Sequence, residues 1–183
     1  MKILCSLGTH TQDFTRMAMA LDEIAACSYN NFIVQTGYTN YKFQHITNYF
    51  NFCPKEKMQK LIDEADILIL QGGWGGICEA VDKRKKVIVI PRINGPEHIH
   101  DQGQVVRKME ELGCLLGIHV TKEGESLPED IFRNNKDILK AYSHKTAILL
   151  KEAIEKSKNF NFQPLIRGNA QIISDTLNSW FKN

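Results

Sequence analysis

Residues 68–80 read LILQGGWGGICEA, an apolar run followed by glycine at positions 72, 73, 75 and 76 around Trp74, and then the beginning of a helical pattern. Glycine admits positive φ and lets another group approach the main chain, at an entropic cost that an ordinary loop has no need to bear. At a strand-to-helix junction two causes account for such a run. One is a tight turn; the other is an anion resting on the unpaired N–H groups that open the helix.

Working outward, similar apolar and β-branched runs occur at 2–7 (KILCSL), 31–36 (NFIVQT), 46–52 (ITNYFNF), 65–70 (ADILIL), 86–91 (KVIVIP) and 115–120 (LLGIHV). Runs of this kind mark strands buried on both faces, as in parallel sheets. Helical patterns lie between them at 14–26, 55–64, 75–83 and 101–112, the second introduced by Pro54 near its first turn. The order β-α-β-β-α-β-α-β-α-β predicts an α/β fold: a Rossmann-like open, mostly parallel sheet with helices on both faces. Beyond Lys122 the chain turns polar and acidic (TKEGESLPED), then helical at 129–140 and 143–158. A loop NFNFQPLIRGN leads to a last amphipathic segment at 170–182, whose stripe runs through Ile172, Ile173, Thr176, Leu177, Trp180 and Phe181. At 183 residues and 43% hydrophobic, one core is expected. The division is a single domain with a binding core at 1–120 and a C-terminal helical extension at 121–183.

The formal net charge is +2 with acids and bases interspersed, which excludes a nucleic-acid footprint. Cys5, Cys27, Cys53, Cys78 and Cys114 show neither a CxxC pair nor His/Cys ligand spacing. They read as reduced thiols of a cytoplasmic protein rather than a disulfide framework or zinc site. The start MKILCSLGTH reads as a buried strand and not a signal peptide, and no stretch is long enough to span a membrane.

Ligands of open α/β sheets bind beyond the carboxyl ends of the strands, and three loops there are unusual. The first, LGTHTQDF, offers Gly8 for the turn and Thr9 or His10 to contact an anion; the alternative is a helix cap with a solvent-facing histidine. The second is the opening stretch, where Gly72, Gly73, Gly75 and Gly76 precede a helix whose N–H groups suit a diphosphate. Glu79, one turn inside, either reaches ribose hydroxyls or serves the helix dipole. The third, PRINGPEHIHDQGQ at 91–104, reads as a hydrogen-bonding lip for a polyhydroxylated substrate or as a solvated loop. A metal is disfavoured, because histidines at i and i+2 share no helix face. Nicotinamide binding is disfavoured too: the GxGxxG approximation has Cys78 at the third glycine, follows the fourth strand, and has His98 where an acidic residue is required.

Taken together, GTHTQDFTR with Phe14 and Arg16, QTGY at 35–38, ADILILQGGWGGICEA, KKVIVIPR at 85–92 and EHIHDQGQ at 97–104 resemble the C-terminal domain of family 28 glycosyltransferases. The likeness covers about two thirds of the chain, from Ile3 to Val120. It extends to the small donor-binding subunits of two-component UDP-sugar transferases, those of capsule and exopolysaccharide synthesis and the catalytic subunit of the dolichol-linked N-acetylglucosamine transferase. The resemblance implies half of a GT-B enzyme that binds the UDP-sugar donor. A membrane-associated partner subunit supplies the site for a lipid-linked saccharide acceptor and holds this chain at the inner membrane face. Transfer is implied to be inverting, metal-independent and without a cofactor.

By position, the resemblance places Gly72, Gly73, Gly75 and Gly76 at the diphosphate and Glu79 at the ribose. Arg92 and His98, Gln102 and Gln104 fall on the sugar and uracil side, and Gly8, Thr9 and His10 at the donor phosphate or sugar. His10 is the candidate base. The chain departs from the family with Gln71, Trp74, Gly75 and Gly76 in place of a histidine, a Pro or Ala, a glycine and a serine, which removes a hydroxyl at Gly76 and adds an aromatic at Trp74 for stacking or packing. Gln102 and Gln104 flank Gly103 where the family has adjacent His-Gln. These departures admit a second reading, a non-catalytic accessory subunit of a partner transferase. The terminal stripe docks on the partner, on its own sheet, or on a second copy of the chain. An independent sugar-nucleotide enzyme such as an epimerase ranks last.

Overall fold

The computed structural model describes residues 1–166 together with Ser174 and Asn178. The terminal stripe expected at 172–181 therefore lies outside the described residues.

Alternation along the strands decides the layering. In β1 (Lys2–Ser6), Ile3 and Cys5 enter one core and Leu4 the other. In β4 (Ile67–Gln71) and β5 (Lys86–Ile90), Ile67, Ile69, Ile88 and Ile90 join the first core, while Leu68, Leu70, Val87 and Val89 join the second. β2 (Asn31–Gln35) divides likewise, with Phe32 and Val34 against Ile33. Both faces of the sheet are thus apolar, and each buried Leu, Ile or Val contributes roughly 1.5–3 kcal/mol.

With the two-residue strands β3 (Tyr49–Phe50) and β6 (Leu116–Gly117), the sheet runs β3-β2-β1-β4-β5-β6, and every neighbouring pair is parallel. The first face is covered by α1 (Thr15–Ala25) and α6 (Lys136–Ser157), the second by α2 (Lys55–Glu64), α3 (Trp74–Asp82) and α4 (Gln102–Glu111). A short α5 spans Ile131–Asn134. Between β1 and β4 the strand order reverses, so the loops that follow them diverge and open a crevice at the carboxyl edge.

Three elements differ from the sequence pattern. The run at 46–52 pairs only at Tyr49 and Phe50, because buried Asp22 of α1 accepts the N–H groups of Gln44 and His45, both at 2.9 Å, and draws the preceding chain out of the sheet. The run at 115–120 shortens to Leu116–Gly117, where the Glu110 carboxylate takes the Gly117 N–H at 3.1 Å. The two helices expected at 129–140 and 143–158 divide instead at Asn135. Its side chain accepts the N–H groups of Asp137 and Ile138, both at 3.1 Å, and caps one continuous α6.

Candidate functional site

α3 opens from Gly73 with no side-chain cap and no acidic residue in its first turn. Its first internal bond joins Ile77 N–H to Gly73 O at 3.2 Å, so the N–H groups of Trp74, Gly75 and Gly76 are left at the helix start. By contrast, Asp101 caps α4 and Asn135 caps α6.

The four glycines answer different needs. A Cβ at Gly72 would stand 2.7 Å from Gln102 Oε1 and 3.2 Å from Pro91 Cα, and one at Gly73 would stand 2.0 Å from Gln71 Nε2. At Gly75 and Gly76 a Cβ would meet nothing within 4 Å. Packing explains the first pair; the second pair, in the first turn whose N–H groups have no partner, leaves room for side chains. Glu79 is exposed and lies three and four residues on, over the same helix face. Trp74 packs against the second core, which favours the packing role over stacking on a ligand. Burial, with Asp82 adding to it, pushes the Cys78 thiol up to about 11, so this cysteine offers no thiolate nucleophile.

Gln71 closes the crevice floor between the loops after β1 and β4. Gly8 has φ +90°, and a Cβ there would stand 3.0 Å from Gln71 Cγ. A Cβ at Gly37, φ +58°, would stand 2.1 Å from Gly8 O, so the loop after β2 rests directly on the first loop. Gln71 Oε1 is buried without a hydrogen-bond partner, as are Gln12 Oε1 and Arg92 Nε. Unsatisfied buried atoms are costly and call for a reason. A fourth such atom among the described residues, Arg107 Nε, belongs to α4.

Thr9 and His10 are exposed. His10 Nδ1 accepts the Gln12 N–H at 3.2 Å, so the neutral ring carries its proton on Nε2 and presents a donor. In that tautomer the other ring nitrogen of His10 is a hydrogen-bond donor. Its ring meets His98 edge-on with centroids 5.7 Å apart, and His98 is equally far from His100. His98 Nδ1 lies 3.0 Å from His100 N and 3.2 Å from His100 O, accepting from the first when neutral and donating to the second when charged.

Burial, opposed by the His100 main chain and reinforced by the positive neighbours Arg92, His10 and His100, holds His98 below its ordinary value of 6.5. The unfolded chain then binds more protons than the folded one just below that value. His98 therefore contributes stability that is present above 6.5 and lost as pH falls through its folded-state value. Urea midpoints measured from about pH 8 down to 5 should fall on the acid side, and His98→Gln should flatten that slope. An unchanged slope in the variant would assign the acid loss elsewhere.

Arg92 does not face the crevice. It is 2% exposed; Nη1 donates to Asp13 O at 2.9 Å and Gln12 O at 3.1 Å, and Nη2 to Leu7 O at 3.0 Å. Its guanidinium also covers the Phe14 ring at 4.3 Å. The direct donor contact expected of Arg92 gives way to support of the first loop. Gln102 is corrected in the same way: it is buried, and its Oε1 accepts the Arg92 N–H at 3.1 Å behind Gly72. Gln104 is half-buried in the first turn of α4.

Beyond β2 and β3 lies a cavity of about 550 Å³ lined by Thr36, Gly37, Tyr38, Asn51 and Phe52 among others. Exposed Tyr38 and Phe52 meet edge-on across it with centroids 5.1 Å apart. The sequence pattern did not show this feature, because its walls come from two separate loops; the aromatic in QTGY was the one local signal. Among the described residues no group of three His, Cys, Asp or Glu is placed to hold a metal ion. No helix among them is long and apolar enough to cross a membrane.

A parallel sheet in this order, with an uncapped glycine-rich helix start at its switch point, defines the class of Rossmann-like open α/β domains. Within that class, residues 4–160 match the glycosyltransferase family 28 C-terminal domain. The chain belongs to this family, and its architecture is the Rossmann-like half of a GT-B glycosyltransferase. Among solved structures it is similar to the glycotransferase of kitacinnamycin, with TM-score 0.50 and 20% identity over 93% of this chain and 42% of that one. It also matches MurG of Acinetobacter baumannii (TM-score 0.48, 14% identity, 94% and 48% coverage) and Os79 from O. sativa in complex with UDP (0.47, 15%, 98% and 40%). The chain thus spans less than half the length of these structures. No curated protein matches it.

Proposed function

We propose that this domain binds the UDP-sugar donor of an inverting glycosyltransferase, as the catalytic subunit of a heteromeric enzyme. The observation that carries the reading is the start of α3, where the N–H groups of Trp74, Gly75 and Gly76 have neither an intrahelical partner nor a side-chain cap and Gly75 and Gly76 have room beside them. A diphosphate suits that place, with Glu79 over the same face for the ribose. The aromatic cavity beside Gly37 suits the nucleoside end, and the Nε2–H edge of His10 suits a phosphate or sugar oxygen.

As the glycosidic bond breaks, the departing UDP gains negative charge. Donors and a helix dipole fixed in advance favour that state over the bound ground state. The proton of the attacking hydroxyl goes to a base, for which His10 and a group on the partner subunit are the candidates. That partner, membrane-associated, supplies the lipid-linked saccharide acceptor site and holds this chain at the cytoplasmic face in polysaccharide synthesis.

Calorimetric titration with UDP, UDP-glucose, UDP-galactose, UDP-N-acetylglucosamine and NAD tests the reading. Uridine ligands are expected to bind and NAD not, and Glu79→Ala should weaken binding by about tenfold, the loss of a charge-assisted hydrogen-bond pair. No uridine binding, alone or with the partner, would favour the accessory subunit instead.

A further inference from the structure

The loops after β1 and β5 are joined by two arginines that cross in opposite directions. From the β5 side, Arg92 reaches back to Leu7 O, Gln12 O and Asp13 O in the first loop. From the β1 side, Arg16 in the first turn of α1 reaches forward to the β5 loop. Its Nε donates to Glu97 Oε1 and its Nη2 to Glu97 Oε2, both at 2.8 Å, and Nη2 also donates to Pro91 O at 2.8 Å.

Glu97 is held on all sides. Its Oε2 accepts the Ile93 N–H at 2.8 Å, which folds the loop back on itself, and the next residue is His98. The pair is fully enclosed, with side-chain exposures of 0% for Arg16 and 3% for Glu97. The remaining Arg16 donor, Nη1, is anchored to Thr146 Oγ1 of α6 at 2.8 Å. A single buried pair is weak evidence of stability, because desolvation offsets its attraction. Its geometry is specific all the same: a bidentate fork fixes both distance and angle.

We propose that Arg16 and Glu97 are positioning residues whose buried pair sets the β5 loop against the β1 loop, so that His98 stands opposite His10 at the crevice before any ligand arrives. The donor site is then preorganised, and binding does not have to order two loops. This inference rests on the UDP-sugar reading only for the identity of the ligand.

The test uses Glu97→Gln and, because a lone buried Arg16 cation threatens the fold, the double variant Arg16→Met with Glu97→Gln. The new amide still accepts the Ile93 N–H, the double variant removes both charges of the pair, and Arg92 keeps Asp13 and its three carbonyl partners. Leu150→Ala, a cavity in the fully buried face of α6, serves as a comparison of similar or greater destabilisation away from the loops. Imidazole NMR titrations and UDP calorimetry are run below the melting range of all variants.

In the double variant the His98 titration should move up toward its ordinary value, as the ring loosens from burial and from its positive neighbours. UDP affinity should fall about tenfold, the scale of ordering about one residue's backbone. Leu150→Ala should move neither. A double variant with the wild-type His98 titration, or a Leu150→Ala that shifts it equally, would overturn the proposal. Should wild type bind no uridine nucleotide, the donor reading fails, while the His98 titration still decides the loop arrangement.

Discussion

Gly75→Asp is expected to lower uridine-nucleotide affinity by at least about a hundredfold, while leaving the protein as stable as wild type or slightly more so. The backbone is helical there and a Cβ meets nothing within 4 Å, so no clash opposes the change. An acidic side chain in the first turn favours the helix dipole by about 0.3–1 kcal/mol, and leaving glycine adds a few tenths more. The same carboxylate would stand where the proposed donor diphosphate binds. Repulsion of about 1–4 kcal/mol between charges about 4 Å apart, together with loss of free N–H donors to the new side chain, accounts for the drop. Opposite signs for stability and binding are the diagnostic: a merely structural glycine shows no such split. UDP calorimetry and thermal midpoints on Gly75→Asp and Gly75→Ala measure it. Wild-type affinity in the aspartate variant would remove the diphosphate from α3.

Arg92→Met is expected to cost about 3 kcal/mol of stability, a large share of the 5–15 kcal/mol that holds a domain together. Two effects compete. Burial, only partly offset by Glu97 and Asp13, brings the guanidinium down to about 10, so it stays charged at neutral pH at a cost of about 3 kcal/mol. Against this, the bonds to Leu7 O, Gln12 O and Asp13 O are charge-assisted and contribute about 1.5–3 kcal/mol each. The bonds win. Methionine keeps most of the volume over Phe14, so the loss reflects hydrogen bonding more than a cavity. Urea unfolding at neutral pH checks it; a midpoint equal to that of wild type would mean that the three carbonyls are satisfied without Arg92.

Much of the fold was legible in the chain because its causes are local. The apolar runs at 65–70 and 86–91 mark strands covered on both faces, and the glycines at 72, 73, 75 and 76 mark a strand-to-helix junction. Each is a statement about a few adjacent residues. Where the pattern misled, a distant group intervened. Asp22 holds Gln44 and His45, just before the run at 46–52, away from the sheet, and Glu110 takes the N–H of Gly117.

The crevice itself divides along the same line. Sequence alone determined that a parallel α/β sheet would carry unusual loops after its first, fourth and fifth strands, because period-two burial and turn chemistry act over a few residues. Only the tertiary structure decided what those loops do. It separated Gly72 and Gly73, crowded by Gln71, Gln102 and Pro91, from Gly75 and Gly76, which face open space. It also withdrew Arg92 from the surface and locked Arg16 onto Glu97. Those pairings join residues about 75–85 positions apart, and whether an arginine meets a ligand or a carbonyl depends on which distant oxygen the fold brings within 3 Å, which no local pattern encodes.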